Sequence, residues 1–235
     1  MPEQKILIVV TNNPGPGGGL KRTGLWLSEL THFYDEMERR GFAMDFVSPQ
    51  GGAVPLDPQS LLPLPLMADK STRARRGDTQ FMDRLQSTLK PSEVEAGDYA
   101  AIYFTGGHGT MWDFPENAEL QRLAASIYEQ GGAVSAVCHG VCGLVNVELS
   151  DGKKLVDGKR VTGFSNLEEV LALKSGIVPF KVEDGLKASG ADYSRATLPL
   201  QGHVVADGRL VTGQNPGSAR AVARELAGVL GAAAN

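Results

Sequence analysis

Cysteine is nearly absent from this chain: there are two among 235 residues, Cys138 and Cys142. Two thiols so close in sequence cannot staple a fold, so a disulfide framework is excluded and a reducing, cytoplasmic setting is expected. Long apolar runs are missing too. The run that follows Met1-Pro2-Glu3-Gln4-Lys5 is too short to span a membrane, and no cleavage-site pattern comes after it. Basic charge is scarce: 23 Lys and Arg against 27 Asp and Glu leave a net charge of -4. That balance argues against a surface built for nucleic acid or anionic lipid. Arg73, Arg75 and Arg76 form the one basic cluster, and it reads as a solvated turn.

The chain has four histidines, and no spacing of His, Cys and carboxylates reads as a metal site. A dinucleotide fingerprint is lacking as well. In Gly15-Pro16-Gly17-Gly18-Gly19 the next residue is Leu20, where a third glycine should stand, and Pro16 disturbs the turn. A loop that covers a site is the better use of this segment, and no cofactor is expected. With no repeat, no linker, 42% hydrophobic and 21% charged residues, the chain reads as a single domain over 1–235.

What is present is concentrated in Gly131-Gly132-Ala133-Val134-Ser135-Ala136-Val137-Cys138-His139-Gly140. A short apolar run ends in a cysteine, then His-Gly, then a segment with helical spacing. This is how a strand turns sharply into a helix and holds a nucleophile at the bend. A thiol at a helix N-terminus is expected to have a lowered pKa. The competing reading is a buried core cysteine, and the local pattern favours catalysis over it.

The elements around this bend alternate. Ile6 to Val10 reads as a strand buried on both faces. Thr23 is expected to cap a helix carrying Trp26, Leu30, Phe33 and Met37, closed by Gly41. Phe42–Ser48 and Tyr99–Thr105 read as strands, separated by a Pro-rich excursion over Val54–Leu66 and a helical segment near Phe81–Leu89. A helix over Asn117–Gln130 leads to the Ala133–Val137 strand. Asp157-Gly158 and Asp207-Gly208 signal two hairpins, and a last helix spans about Ser218–Val229. The pattern predicts an α/β fold with a mostly parallel central sheet, helices on both faces and C-terminal β-hairpins. Sites in such sheets form beyond the carboxyl ends of the strands, where the Gly15 loop, Gly106-Gly107-His108-Gly109 and Cys138 all fall.

Glycines at 106, 107 and 109 let backbone amides approach a ligand and contribute to an oxyanion hole; a tight turn before Trp112 and Phe114 fits the same residues. His139 is not expected to serve Cys138 by adjacency, because successive side chains diverge at such a bend, though it can line the pocket as a proton shuttle. His32 reads as surface, and nothing connects His203 to the site. Glu29 falls at the rim of the buried face of the first helix. It fits a surface salt bridge, or a buried protonated carboxyl able to donate to a thiolate; the spacing allows both.

Several segments, in order, resemble one family. They are Thr23-Gly24 with Glu29-Leu30, the strand Phe42 to Pro49, and Gly106-Gly107-His108-Gly109-Thr110 with Asp113-Phe114-Pro115. Ala136-Val137-Cys138-His139-Gly140, Val161-Thr162-Gly163-Phe164-Ser165-Asn166 leading to Glu169, and Asp207-Gly208-Arg209-Leu210-Val211-Thr212-Gly213-Gln214-Asn215-Pro216 follow. Together they resemble the ThiJ/PfpI group of the class I glutamine-amidotransferase-like superfamily, and within it the branch of small heat-shock proteins that act as glutathione-independent glyoxalase III. The resemblance implies a flavodoxin-like three-layer sandwich and a homodimer.

It also implies Cys138 as nucleophile, His139 as its partner, Glu169 to orient or charge-balance His139, and Glu29 as a protonated carboxyl on the thiol. The amides of Gly107 and His139 would be the oxyanion donors, with Gly106, His108 and Gly109 lining the substrate pocket. The implied reaction takes a small 2-oxoaldehyde, methylglyoxal, and water to lactate without cofactor or metal. Val141 stands where relatives often carry proline or a small residue, and the Gly15–Gly19 and Val54–Leu66 segments are individual to this chain. Two other readings accompany the glyoxalase one: a stress-response holdase or cysteine redox sensor, and a cysteine amidase, peptidase or deglycase. The adjacency of Cys138 and His139 disfavours a true glutamine amidotransferase, which places its histidine well downstream.

Overall fold

The computed structural model describes residues 4–17 and 22–231. Its elements in chain order are β1 (Lys5–Val9), α1 (Leu27–Glu38), β2 (Ala43–Val47), α2 (Pro63–Ala68), α3 (Lys70–Gly77), α4 (Thr79–Arg84), β3 (Ala101–Phe104), α5 (Thr110–Asp113), α6 (Ala118–Glu129) and β4 (Ala133–Val137). A 3₁₀ segment, Cys138–Leu144, follows at once. Then come β5 (Arg160–Val161), α7 (Asn166–Leu171), α8 (Val182–Ala188), β6 (Asp192–Tyr193), β7 (Val204–Asp207), β8 (Leu210–Gly213) and α9 (Ala219–Val229).

Six strands form the main sheet in the order β2-β1-β3-β4-β8-β7, parallel except for the edge strand β7. The inner strands are apolar on both faces: Ile6 to Val9, Ala101 to Phe104 and Ala133 to Val137 are fully buried, as a sheet covered by helices on two sides requires. From β1 the chain crosses through α1 to β2 on one side, whereas β3 crosses through α6 to β4 in the opposite direction along the sheet. Right-handed crossovers then put α1 and α6 on opposite faces. The result is the expected α/β three-layer sandwich, and the reversal between β1 and β3 opens a crevice at their carboxyl ends.

Several local expectations are corrected. Thr23 does not cap α1. Trp26 holds the cap position with no side-chain bond, and the Thr23 hydroxyl donates instead to Asp57 at 2.6 Å, because the chain before α1 runs extended beside Leu56. Arg73, Arg75 and Arg76 lie on α3 rather than in a turn, with Arg75 bound to Asp35 at 2.6 Å on α1. Of the two Asp-Gly signals only Asp207-Gly208 makes a hairpin, between β7 and β8. The strand after Asp157-Gly158, β5, pairs in parallel with β6, so one C-terminal hairpin exists in the described residues instead of several. The Val54–Leu66 excursion contains a 3₁₀ turn at Pro58–Leu61 and the start of α2. Gly18 and Gly19 lie outside the described residues.

Candidate active site

At the end of β4 the backbone of Cys138 takes a φ of +57°, a left-handed conformation that a non-glycine residue holds only under constraint. The constraint is packing: a Cβ at Gly140 would sit 2.2 Å from the Thr105 carbonyl at the end of β3, so only glycine lets the turn close against its neighbour strand. The bend therefore forms as expected, but it opens a 3₁₀ segment rather than an α-helix. The expected lowering of the thiol pKa is also overturned. Burial pushes the Cys138 thiol well up and Glu29 pushes it further, outweighing the favourable His139 amide.

The bend also reverses the expectation that the Cys138 and His139 side chains diverge. With Cys138 left-handed, the His139 ring swings back until Nδ1 is 3.3 Å from Cys138 Sγ. Its other nitrogen, Nε2, is 2.8 Å from Glu169 Oε2. Burial, then the neighbouring His108, lower His139 to about 4, so it is neutral near pH 7. Burial would raise Glu169, yet the bonds from His108 and His139 hold it well below the usual carboxylate range. An ionised carboxylate can only accept, so the His139 proton sits on Nε2. Nδ1 is thereby left bare and facing the thiol, ready to take its proton.

Glu169 serves a second imidazole. Its Oε1 is 3.0 Å from His108 Nε2, and the His108 and His139 rings lie 3.9 Å apart, with Phe164 at 4.2 Å on His139. His108 Nδ1 is buried with no partner. The donor atoms of His108, His139 and Glu169 fall within 4.8 Å of one another, a grouping that linear spacing does not reveal. Both imidazoles already donate to the one carboxylate, so the three residues are satisfied as a hydrogen-bonded relay.

Glu29 is fully buried on α1, which removes the surface-salt-bridge alternative. A Cβ on Gly106 would fall 2.2 Å from Glu29 Oε2 and 2.9 Å from the Cys138 Cβ, so the carboxyl, the glycine and the cysteine are in mutual contact. Burial raises Glu29 to about 8, against the pull of the Cys138 thiol and the Gly106 amide. Neither carboxyl oxygen has a hydrogen bond of normal geometry. The group is accordingly protonated at neutral pH and keeps a proton to donate.

Above the thiol lies a cavity of about 270 Å³. Gly107, His108, Cys138 and His139 line it, together with Trp26, Phe164 and Glu168. Gln59 from the Pro-rich excursion reaches its wall, whereas Gly106, Gly109 and the described Gly15–Gly17 lie off it among the described residues. Gly106 instead gives room to Glu29, and Gly109 packs under the chain leaving β1, where a Cβ would meet the Asn13 carbonyl at 2.4 Å. His32 is partly buried and bonded to Asp69 at 2.8 Å, and His203 pairs with Ser194; both stand apart from the cavity.

Glu168 is the residue that sequence reasoning missed. It accepts from Ser165 Oγ at 2.7 Å, Gln214 at 2.8 Å, Asn215 at 2.8 Å and the Leu200 amide at 2.9 Å. These donors hold it ionised despite its burial. The signal was there: Ser165 followed three positions later by Glu168 is a capping box at the start of α7.

A family model described as the DJ-1/PfpI family matches residues 23–228. The chain belongs to the DJ-1/PfpI family. Among curated members, it is 36% identical over 232 residues to the glutathione-independent glyoxalase HSP31 of Saccharomyces cerevisiae, covering 95% of this chain and 96% of that one. It is 31% identical over 229 residues to glyoxalase 3 of Candida albicans, covering 94% and 96%. Among solved structures, the rapid encystment protein of Francisella tularensis superposes with a TM-score of 0.90 at 38% identity, over 97% and 99% of the two chains. Glyoxalase III of Candida albicans gives 0.87 at 28% identity, over 96% and 97%.

Proposed function

We propose that this chain is a glutathione-independent glyoxalase that converts a 2-oxoaldehyde such as methylglyoxal and water to the 2-hydroxy acid, with Cys138 as nucleophile. The observation that carries the reading is the continuous contact from Cys138 Sγ through His139 to Glu169 at 3.3 and 2.8 Å, with a protonated Glu29 against the same thiol. Full-length similarity to relatives named as glyoxalases supports it.

The Cys138 proton passes to His139 Nδ1 as Sγ adds to the aldehyde carbon. The resulting oxyanion meets the amides of Gly107 and His139. The proton on that carbon moves to the neighbouring carbonyl carbon through an enediolate, with His139 and Glu29 as the shuttles, each worth on the order of 10²–10⁴-fold. Water then cleaves the thioester, releasing the hydroxy acid and restoring the thiol. A homodimer and a cytoplasmic setting belong to the same proposal; both described cysteines are free, and no described helix is long and apolar enough to cross a membrane.

The test is lactate formation from methylglyoxal without glutathione, comparing the native chain with Cys138→Ala. Lactate from the native chain alone is expected; none from a folded native chain overturns the reading. One observation favours the holdase alternative: Leu62, Leu64 and Met67 expose 52, 83 and 69% of their surface. Suppression of client aggregation that survives in Cys138→Ala would support that role beside catalysis.

A further inference from the structure

The cavity over Cys138 is larger and more apolar than methylglyoxal needs. Its volume of about 270 Å³ is the room of roughly nine waters at about 30 Å³ each, whereas methylglyoxal offers a single methyl group beside its two carbonyls. Trp26, Phe164, Leu171, Ala172, Leu200 and Pro216 supply the apolar lining. The polar lining groups are mostly engaged already. Cys138 and His139 face each other, His108 is bound to Glu169, and Glu168 is saturated by donors from Ser165, Gln214, Asn215 and Leu200. Apolar contact is therefore the main means left for recognising the part of a substrate that does not react.

Leu200 sharpens the point. Its φ is +63°, a conformation in which leucine is strained, and its amide is fixed at 2.9 Å to the buried Glu168. The side chain so positioned is 67% exposed, and its neighbour across the cavity lining, Leu171, is 53% exposed. Strain held by a buried carboxylate to keep a leucine uncovered does nothing for the stability of the fold. It makes sense where an apolar group of a ligand packs onto that leucine.

Resting on the glyoxalase reading, we infer that the preferred substrate is a 2-oxoaldehyde whose ketone carbon carries a bulky apolar group, and that Leu200 is a specificity-determining residue for that group. The overall conversion is R–CO–CHO plus H₂O to R–CH(OH)–COOH. The group R takes no part in bond making or breaking, so it acts only through binding.

The experiment measures kcat/KM over a series in which R is methyl, ethyl, isopropyl and isobutyl, for the native chain and Leu200→Gly. Glycine accepts the left-handed backbone without strain, and an unchanged thermal melt verifies the fold. In the native chain kcat/KM should rise about three- to fourfold per buried methylene. Leu200→Gly should lower the isobutyl-to-methyl ratio several-fold. A flat or falling series in a native chain that still makes lactate overturns the substrate class and leaves the glyoxalase reading standing. A ratio unchanged in Leu200→Gly overturns the assignment of Leu200. Failure to turn over any member of the series removes the glyoxalase reading, and this inference with it.

Discussion

The Glu29 carboxyl, carried on α1, lies against the Cys138 thiol at the end of β4, and the charge of either group raises the proton affinity of the other. At neutral pH the carboxyl keeps its proton. A thiolate formed by transfer to His139 would thus meet a hydrogen-bond donor where an ionised glutamate would repel it.

Glu29→Gln preserves a donor but removes the ability to give up and recover a proton. Turnover should fall by about 10²-fold or more while a residual rate persists. Single-turnover kinetics with methylglyoxal checks this; an unchanged rate confines Glu29 to a packing role.

Cys138→Ala should lose lactate formation and retain the fold. It removes one sulfur from a buried site and keeps a non-glycine residue at the strained φ of +57°. Thermal unfolding within a few degrees of the native chain, with no detectable lactate, is the expected pair of results.

Glu169→Gln should slow turnover by about 10²–10⁴-fold, because an amide no longer holds the His139 proton on Nε2 by charge. A Gln also cannot accept from both His139 and His108 as a carboxylate does. The pH dependence of inactivation by a thiol alkylating agent would report the loss: His139 Nδ1 would cease to be a fixed acceptor, and the reaction with Cys138 would slow at neutral pH.

Stability should decline on both sides of neutrality, for different reasons. Burial lowers His139 from 6.5 to about 4, so the unfolded chain binds more protons between those values and stability is lost as pH falls through that window. Glu169, held low by its two histidines, adds to the loss below the unfolded carboxylate pKa. Glu29 has the opposite sign. Its pKa rises from 4.5 to about 8, so the folded state binds the extra proton and stability falls as pH climbs from 4.5 toward 8. Denaturant titrations at several pH values should show that alkaline decline reduced in Glu29→Gln.

Gly106→Ala should destabilise the fold by about 1–3 kcal/mol and impair activity as well. The new Cβ would meet Glu29 Oε2 at 2.2 Å and the Val137 carbonyl at 2.8 Å, forcing apart the carboxyl and the bend that carries Cys138. Urea unfolding together with lactate formation measures both effects.

The sequence by itself determined the strand-to-helix alternation, the parallel sheet and the position of the cysteine bend. These follow from apolar runs at Ile6–Val10 and Ala133–Val137 and from helical spacing in α1 and α6, which are local periodicities. It also carried Glu168 in plain view, in the capping box after Ser165. What it could not supply were relations that depend on backbone angle or on distant packing. The meeting of His139 with Cys138 required the left-handed turn at Cys138, which the close contact of Gly140 with Thr105 enforces. The choice between a surface and a buried Glu29 required the neighbouring strands to be in place, since a rim position on a helix becomes buried only when another element covers it. The sharing of Glu169 by His108 and His139, and the fixing of Leu200 by Glu168, join residues from separate loops that only the closed sheet brings within a hydrogen bond of each other.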